Sequence, residues 1–301
     1  MTTITTASHP KALWPGVKKF WGMEYPKHEK LWTRIFESFN SDQAWEEDVE
    51  TVGFGLMSVK KQGQSITYDT AHQGYVSRYT NLTYSLGYMV TMEELMDNLY
   101  EKVSFKRVSR LARSVWETEE VVHFNVLNRA FDSTYVGGDG KELCATDHPS
   151  DSGAQSNELT VAADLSEASI EDLCIQIMNA TDSRGLRFLN RPKKLIVPTS
   201  LYFDAKRIVN STLQNDTANN AVNVIKSEGV FEEIVCSPYL TDQDAWFIQT
   251  DCPDGLTHYT RMPVTFDKDN DFDTRNLKAA AIARWSQGWS NWRGIFGSSG
   301  A

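Results

Sequence analysis

Hydrophobic and polar positions change period several times along the chain. Leu82, Tyr84, Leu86, Tyr88 and Val90 alternate with Thr83, Ser85, Gly87 and Met89, the period of two that predicts a strand. Val52, Phe54 and Leu56 alternate with glycine in the same way. Between these runs lies KKQGQSITYDTAHQGYVSRYT, whose Ile66, Tyr68, Tyr75, Val76 and Tyr79 are too sparse to cover a buried face. A two-stranded ribbon is marginal alone in water, so residues 51–90 read as a projecting β-hairpin that leans on another surface. Thr91 and Glu94 then form a capping box. After them Leu95, Leu99, Val103, Leu111, Val115, Val122, Val126 and Ala130 recur without Gly or Pro. This predicts one helix over 91–132, about 60 Å long at ~1.5 Å per residue, longer than a compact domain needs.

A turn-rich link, YVGGDGKELCATDHPSDSGAQSNE, leads to an alternation of elements. Helices are expected from Ser169 and from Thr199 or Ser200, and strands over Lys194–Val197, Phe231–Cys236, Ala245–Thr250 and Leu256–Arg261. That alternation predicts an α/β segment around a small sheet. An acidic loop, Asp267–Asp273, and a strand through Ala279, Ala281, Ala283 and Trp285 follow.

The first 50 residues hold eight aromatic side chains, among them Trp14, Phe20, Trp21 and Trp32, yet Pro10, Pro15, Gly16, Gly22 and Pro26 interrupt any period over the first 26. Only Leu31, Trp32, Ile35, Phe36 and Phe39 fall at helical spacing, predicting a short helix over Lys27–Ser38. Aromatics on an irregular arm bury themselves against the body of the chain or a neighbour. Seven of the nine tryptophans lie in the first 45 or last 17 residues, Trp285, Trp289 and Trp292 among them, so both ends read as contact regions.

With 301 residues and 41% hydrophobic positions the chain is long enough for a substantial core. Its net charge of −10 argues against gripping nucleic acid over the whole surface. One exception is a basic stripe at helical spacing, Lys102, Lys106, Arg110 and Arg113. It reads first as a solvated face or a partner for a neighbour's acids, and as a lumen-facing surface beside packaged nucleic acid second. No run of apolar residues is long enough for a membrane span and no signal peptide is apparent, so a cytosolic place of assembly is expected.

Chemical motifs are few. Phosphate-loop, dinucleotide, GxSxG and HExxH signatures are missing. Cys144, Cys174, Cys236 and Cys252 lack zinc-ligand spacing and read as free thiols. Asp267, Asp269, Asp271 and Asp273 imitate the front of an EF-hand, but Phe272 replaces the turn glycine and Lys278 the closing carboxylate, so a solvated acidic turn is favoured. His148 lies beside Asp147 and Asp151 without a nucleophile, which favours turn chemistry. No catalytic, cofactor or metal residues are assigned.

The order of arm, polar hairpin, long helix, α/β segment and returning β structure, together with KELCATDHP, KKLIVPTSLYFDAKRIVNS followed by NNAVNVI, SPYLTDQDAWFI and DNDFDTRNLKAAAIARWSQGWSNWRGIFG, resembles the major capsid proteins of tailed bacteriophages. It is similar in particular to Mu-type head subunits. The resemblance implies the α+β Hong Kong 97-type fold: an N-terminal arm (1–50), an extended loop (51–90), a peripheral domain with its spine helix (91–165), an axial domain (166–255) and return strands to the peripheral domain (256–301).

It further implies a non-enzymatic subunit that assembles as hexamers and pentamers into an icosahedral shell around double-stranded DNA in the host bacterial cytoplasm. Trp14, Phe20, Trp21, Trp32, Tyr68, Tyr75, Trp285, Trp289 and Trp292 would make inter-subunit contacts. Partners would be other copies, scaffolding, portal and cement proteins, and packaged DNA through weak non-specific contact, with no membrane. Because the arm starts near Met1, no long removable N-terminal region is expected. Lys60 and Lys61 stand where some relatives crosslink their subunits, but uncrosslinked subunits are expected. An encapsulin-like nanocompartment is the nearest competitor, and a metal-dependent enzyme using Asp267–Asp273 is a remoter one.

Overall fold

The computed structural model describes residues 14–91, 93, 100–214, 221–271 and 276–301. Two four-stranded sheets and a separate two-stranded ribbon organise the chain. The first sheet has the order β1 (Glu37–Asn40), β8 (Leu256–Asn270), β9 (Leu277–Trp289), β4 (Leu82–Val90). In the second, β10 (Ile295–Ser298) pairs with β7 (Trp246–Thr250), then come β5 (Pro192–Pro198) and β6 (Glu233–Ser237). The ribbon joins β2 (Trp45–Val52) to β3 (His72–Thr80).

Two helices lie by the first sheet: α1 (Trp14–Glu24) and the long α2 (Tyr100–Asn128). Alternation in β9 sends Leu277, Ala279, Ala281, Ala283 and Trp285 inward. Three of these meet Val108, Leu111, Ala112 and Val115 of α2, with Trp21 of α1 and Phe266 completing one core. The small alanines let the helices approach the sheet closely, and Trp21 fills the gap by stacking on Phe266 at 4.8 Å. A second core lies under the farther end of α2, where Phe124, Leu127 and Ala130 meet Trp32, Ile35, Phe36 and Phe247.

The third core belongs to the second sheet, packed against α3 (Glu167–Met178) and α4 (Tyr202–Asn210). Ser166 and Ser169 cap α3 reciprocally, each side chain meeting the other's backbone N–H. Its Ile170, Leu173 and Ile177 are fully buried. A last short helix, α5 (Val224–Ser227), adds Ile225 to this core.

Several expectations change. The segment expected as a helix over 27–38 forms two single 3-10 turns, Tyr25–Lys27 and Trp32–Arg34, and then extends as β1, which pairs in parallel with β8. Helix α1 exists although Pro15 and Gly16 suggested a break, because a proline in the first turn removes an N–H that has no helical acceptor anyway. The ribbon spans 45–80, not 51–90, and 53–71 carry no ladder. The alternating run 82–90 is instead an edge strand of the first sheet. The long helix stops at Asn128, and residues 92 and 94–99, with the Glu94 half of the proposed capping box, lie outside the described residues.

Strand β8 continues to Asn270, so Asp267 and Asp269 belong to a ladder with β9 and not to a loop. The closing strand β10 returns to the second sheet, whereas all of 256–301 was expected in the peripheral one. On the way there Gly294 comes up against Gly255, at the start of β8. A Cβ on Gly294 would stand 2.6 Å from the Gly255 Cα, which requires backbone movement, and one on Gly255 would make a tight contact of 3.2 Å with the Gly294 Cα.

Candidate assembly surfaces

The arm is stitched to the middle of α2. The Glu120 carboxylate accepts the backbone N–H groups of Leu31 (2.7 Å) and Trp32 (3.2 Å), which are free because a 3-10 turn starts there. Burial pushes the Glu120 carboxyl up to about 7, against the opposing pull of those two N–H groups. Glu119 accepts the Tyr25 hydroxyl and pairs with Lys30 at 2.7 Å. The Trp116 indole N–H donates to the Glu29 carbonyl at 3.1 Å.

Beneath these links Trp32 stacks on His123 with centroids 4.1 Å apart. Since the Glu119 carbonyl can only accept, His123 carries its proton on Nδ1. His123 Nε2 then accepts from His258 Nδ1 at 2.9 Å, and His258 Nε2 accepts from the Thr260 hydroxyl at 2.9 Å. Burial holds both imidazoles well below the usual histidine range, and at His123 the neighbouring His258 adds to it.

The ribbon is held at its base and bare at its tip. The Tyr79 hydroxyl meets Ser290 (2.6 Å) and accepts from Thr257 (2.7 Å). Gly138 lies so close to Val76 that a Cβ would stand 2.6 Å from the Val76 carbonyl oxygen. Tyr75 is half-buried beside a polar cavity of about 290 Å³ lined by Asp48, Glu50, Asp254 and Ser290. Farther out, Arg184 from the loop before β5 grips both oxygens of Asp69 at 2.8 and 2.9 Å and donates to the Gly53 carbonyl at 3.2 Å. Beyond that clamp Leu56, Met57, Val59 and Tyr68 are 87–99% exposed, with Phe54 and Ile66 above 60%. Lys60 and Lys61 share this exposed tip.

The sequence-predicted contact residues therefore divide. Trp21, Trp32, Trp285 and Trp292 are buried in the chain's own cores, so they hold this subunit together and offer no surface to a neighbour. Phe20 and Trp289 are partly covered by the same cores, Tyr75 is half-buried, and Tyr68 alone stands free at the ribbon tip. Trp14 lies in α1, its side chain outside the described residues. Sequence reasoning missed Glu119, Glu120, His123 and His258, whose long-range partners are 88 to 135 residues away and form no local motif.

His148 is fully buried, stacked on Trp292 at 4.2 Å. Its ring nitrogens face Asp139 Oδ2 (2.6 Å) and Asn157 Oδ1 (3.0 Å), while Asp147 pairs with Lys141 and Asp151 with His72. Asn157 ties this loop to the chain end by donating to the carbonyls of Leu143 and Ile295. The arrangement is a packing hub without a nucleophile. Among the described residues no group of three His, Cys, Asp or Glu side chains is placed to hold a metal, and no helix is long and apolar enough to cross a membrane. Asp271 bonds Lys278 at 2.7 Å, while Phe272 and Asp273 of the acidic run lie outside the described residues. All four cysteines are free, and burial raises the thiols of Cys174 and Cys252 to about 12.

The chain with these two sheets, long helix and bare projecting surfaces matches one family model, phage capsid protein, over residues 75–297. The chain belongs to the phage capsid protein family. Solved structures with the same fold include the capsid of a native GTA particle, at 12% identity and TM-score 0.58, with 91% of each chain covered. Mycobacterium phage Patience matches at 11% identity and TM-score 0.56, covering 99% of this chain and 90% of that one. A virus-like particle from Pyrococcus furiosus matches at 11% identity and TM-score 0.52, covering 94% and 97%. No curated protein matches in sequence. The fold is of the Hong Kong 97 type, and this phage capsid protein is a structural shell component, not an enzyme, whose copies associate with one another.

Proposed function

We propose that this capsid protein closes an icosahedral shell of hexamers and pentamers around double-stranded DNA, in the cytoplasm of a bacterial host, aided by scaffolding, portal and cement proteins. The observation that carries the reading is the ribbon tip. Six large apolar side chains from Phe54 to Tyr68 stand in water on a strap clamped at Asp69, an exposure that costs solubility in a monomer and is relieved when a neighbouring copy covers it. The second sheet with its helices, the second lobe of the subunit, adds Val161, Leu189 and Phe203, each at least 69% exposed, as a further face for copies around a symmetry axis.

Purified protein viewed by electron microscopy should form closed shells, and shells from infected cells should contain DNA. Replacing residues 56–66 by a short glycine linker should abolish shells while light scattering finds a folded monomer. Normal shells from that variant would remove the ribbon from assembly. Shells filled with a protein cargo in place of DNA would favour the nanocompartment reading.

A further inference from the structure

We propose that the first half of α2, with α1 beside it, is the surface on which this shell protein meets the phosphate backbone of double-stranded DNA. The inference rests on the shell reading and assigns its inner face.

The charge is unevenly spread. Residues 14–34 carry five Lys and Arg against two Glu, and residues 100–116 carry five against one, in a chain with 30 basic and 40 acidic side chains. Helix α1 and this part of α2 share one core through Trp21, Val108, Leu111 and Ala112, so the exposed Lys18 and Lys19 of α1 and Lys106, Arg110 and Arg113 of α2 belong to one packed unit. Lys106, Arg110 and Arg113 are exposed at spacings of four and three, a row about 10 Å long at ~1.5 Å per residue. Lys102 continues the spacing in sequence, its side chain outside the described residues.

Part of this charge is paired at close range: Lys27 with Glu24, Lys30 with Glu119, and Arg34 with Glu29 and Glu233. The rest is looser. Arg113 lies 3.6 Å from the exposed Glu117, and Lys18 3.6 Å from the exposed Asp267. Both are long, solvated pairs of little energetic weight. Lys19, Lys106 and Arg110 are exposed with no acidic partner among the described residues.

A protein partner fits this surface poorly. Protein interfaces depend on buried aromatic or aliphatic anchors and are depleted in lysine. The exposed side chains described on this stretch of α2 are Lys106, Arg110, Arg113 and Ser114. The exposed apolar anchors cluster elsewhere, on the ribbon tip and the second lobe. Lys, Arg and Ser without base-reading geometry are the side chains that neutralise phosphates. Contact limited to a few cations per subunit suits a shell that must confine DNA without fixing it in place.

The test uses the purified subunit, a 30-base-pair duplex of arbitrary sequence and a salt titration followed by fluorescence anisotropy. Binding should weaken linearly on a logarithmic salt scale with a slope of about −0.9 per phosphate neutralised. Lys106→Glu with Arg110→Glu should weaken binding at least tenfold and make the slope shallower by about two, with the far-ultraviolet spectrum unchanged. If the double reversal does not fold, Lys106→Gln with Arg110→Gln reads the same slope. Binding unchanged by these variants, or no binding at low salt, overturns the inference. So would variant subunits that fail to form shells when unaltered subunits form them, because the row would then be pairing with acids of another copy or protein. If unaltered protein binds DNA in this way but never forms shells, the shell reading falls and the assignment of this surface stands.

Discussion

The arm and the ribbon look alike as sequence and behave oppositely in the fold. Both are aromatic, interrupted by glycine and short of any core of their own. Residues 25–40 find their complement inside the same chain: Glu120 takes the backbone N–H groups of the 3-10 turn, Trp32 lies on His123, and β1 extends the first sheet. The ribbon finds such partners only up to Asp69, and past that clamp its apolar side chains face water. Aromatic richness thus reports a need for cover. Which surface supplies it depends on groups far away in sequence.

The sharpest way to test this contrast is to weaken each region in turn. Phe54→Ser, Leu56→Ser and Tyr68→Ser together should eliminate shells yet alter subunit stability by no more than about 0.5 kcal/mol per site, as exposed positions do. Trp32→Ala, at a side chain 6% exposed, should cost about 3–5 kcal/mol in chemical denaturation of the subunit. Equal losses of subunit stability would erase the distinction between the regions.

Acid should next loosen the arm selectively. His123 and His258 are depressed in the fold, so their contribution is present above about 6.5, the unfolded value, and is lost as pH falls below it. Glu120 acts with the opposite sign. Raised to about 7, it favours the fold below the unfolded carboxyl value of about 4.3, and that gain disappears as pH climbs through 7. Two depressed groups outweigh one raised group, so the denaturation midpoint should drop between pH 7 and pH 5. His258→Gln should flatten the drop, and an unchanged drop in that variant would place the sensitive group elsewhere. The smallest effect belongs to Arg184→Ala, about 1 kcal/mol or less for a partly solvated pair, read best as faster proteolysis within residues 53–71.

Legibility in the sequence followed the range of the interactions. The long helix, the β9 alternation from Leu277 to Trp285 and the main strands of the second lobe could be read locally, because each residue's environment repeats within a turn or a pleat. Strand β1 could not: Glu37–Asn40 has no alternation, and its partners start at Thr257. The ribbon register also escaped, since β2 and β3 are joined by residues 53–71 with no ladder and shift register between Val49 and Thr51. The tryptophans were found but given to neighbours, because sequence spacing cannot tell a buried Trp292 on His148 from an exposed one. The basic row was legible as periodicity, while the lack of an acidic partner for Lys106 and Arg110 among the described residues needed the packing of α1 and α2.

The close approach of Gly255 and Gly294 bears on where a shell has room to change. After completing the first sheet with β9, the polypeptide passes close against Gly255 at Gly294 and pairs its final strand with β7 of the second sheet. The two sheets are thus joined by a short segment, residues 290–294, that lies against the start of β8 with room for no side chain on Gly294. In a container built as proposed, the exposed strap beyond Asp69 has more room to yield than this crowded junction.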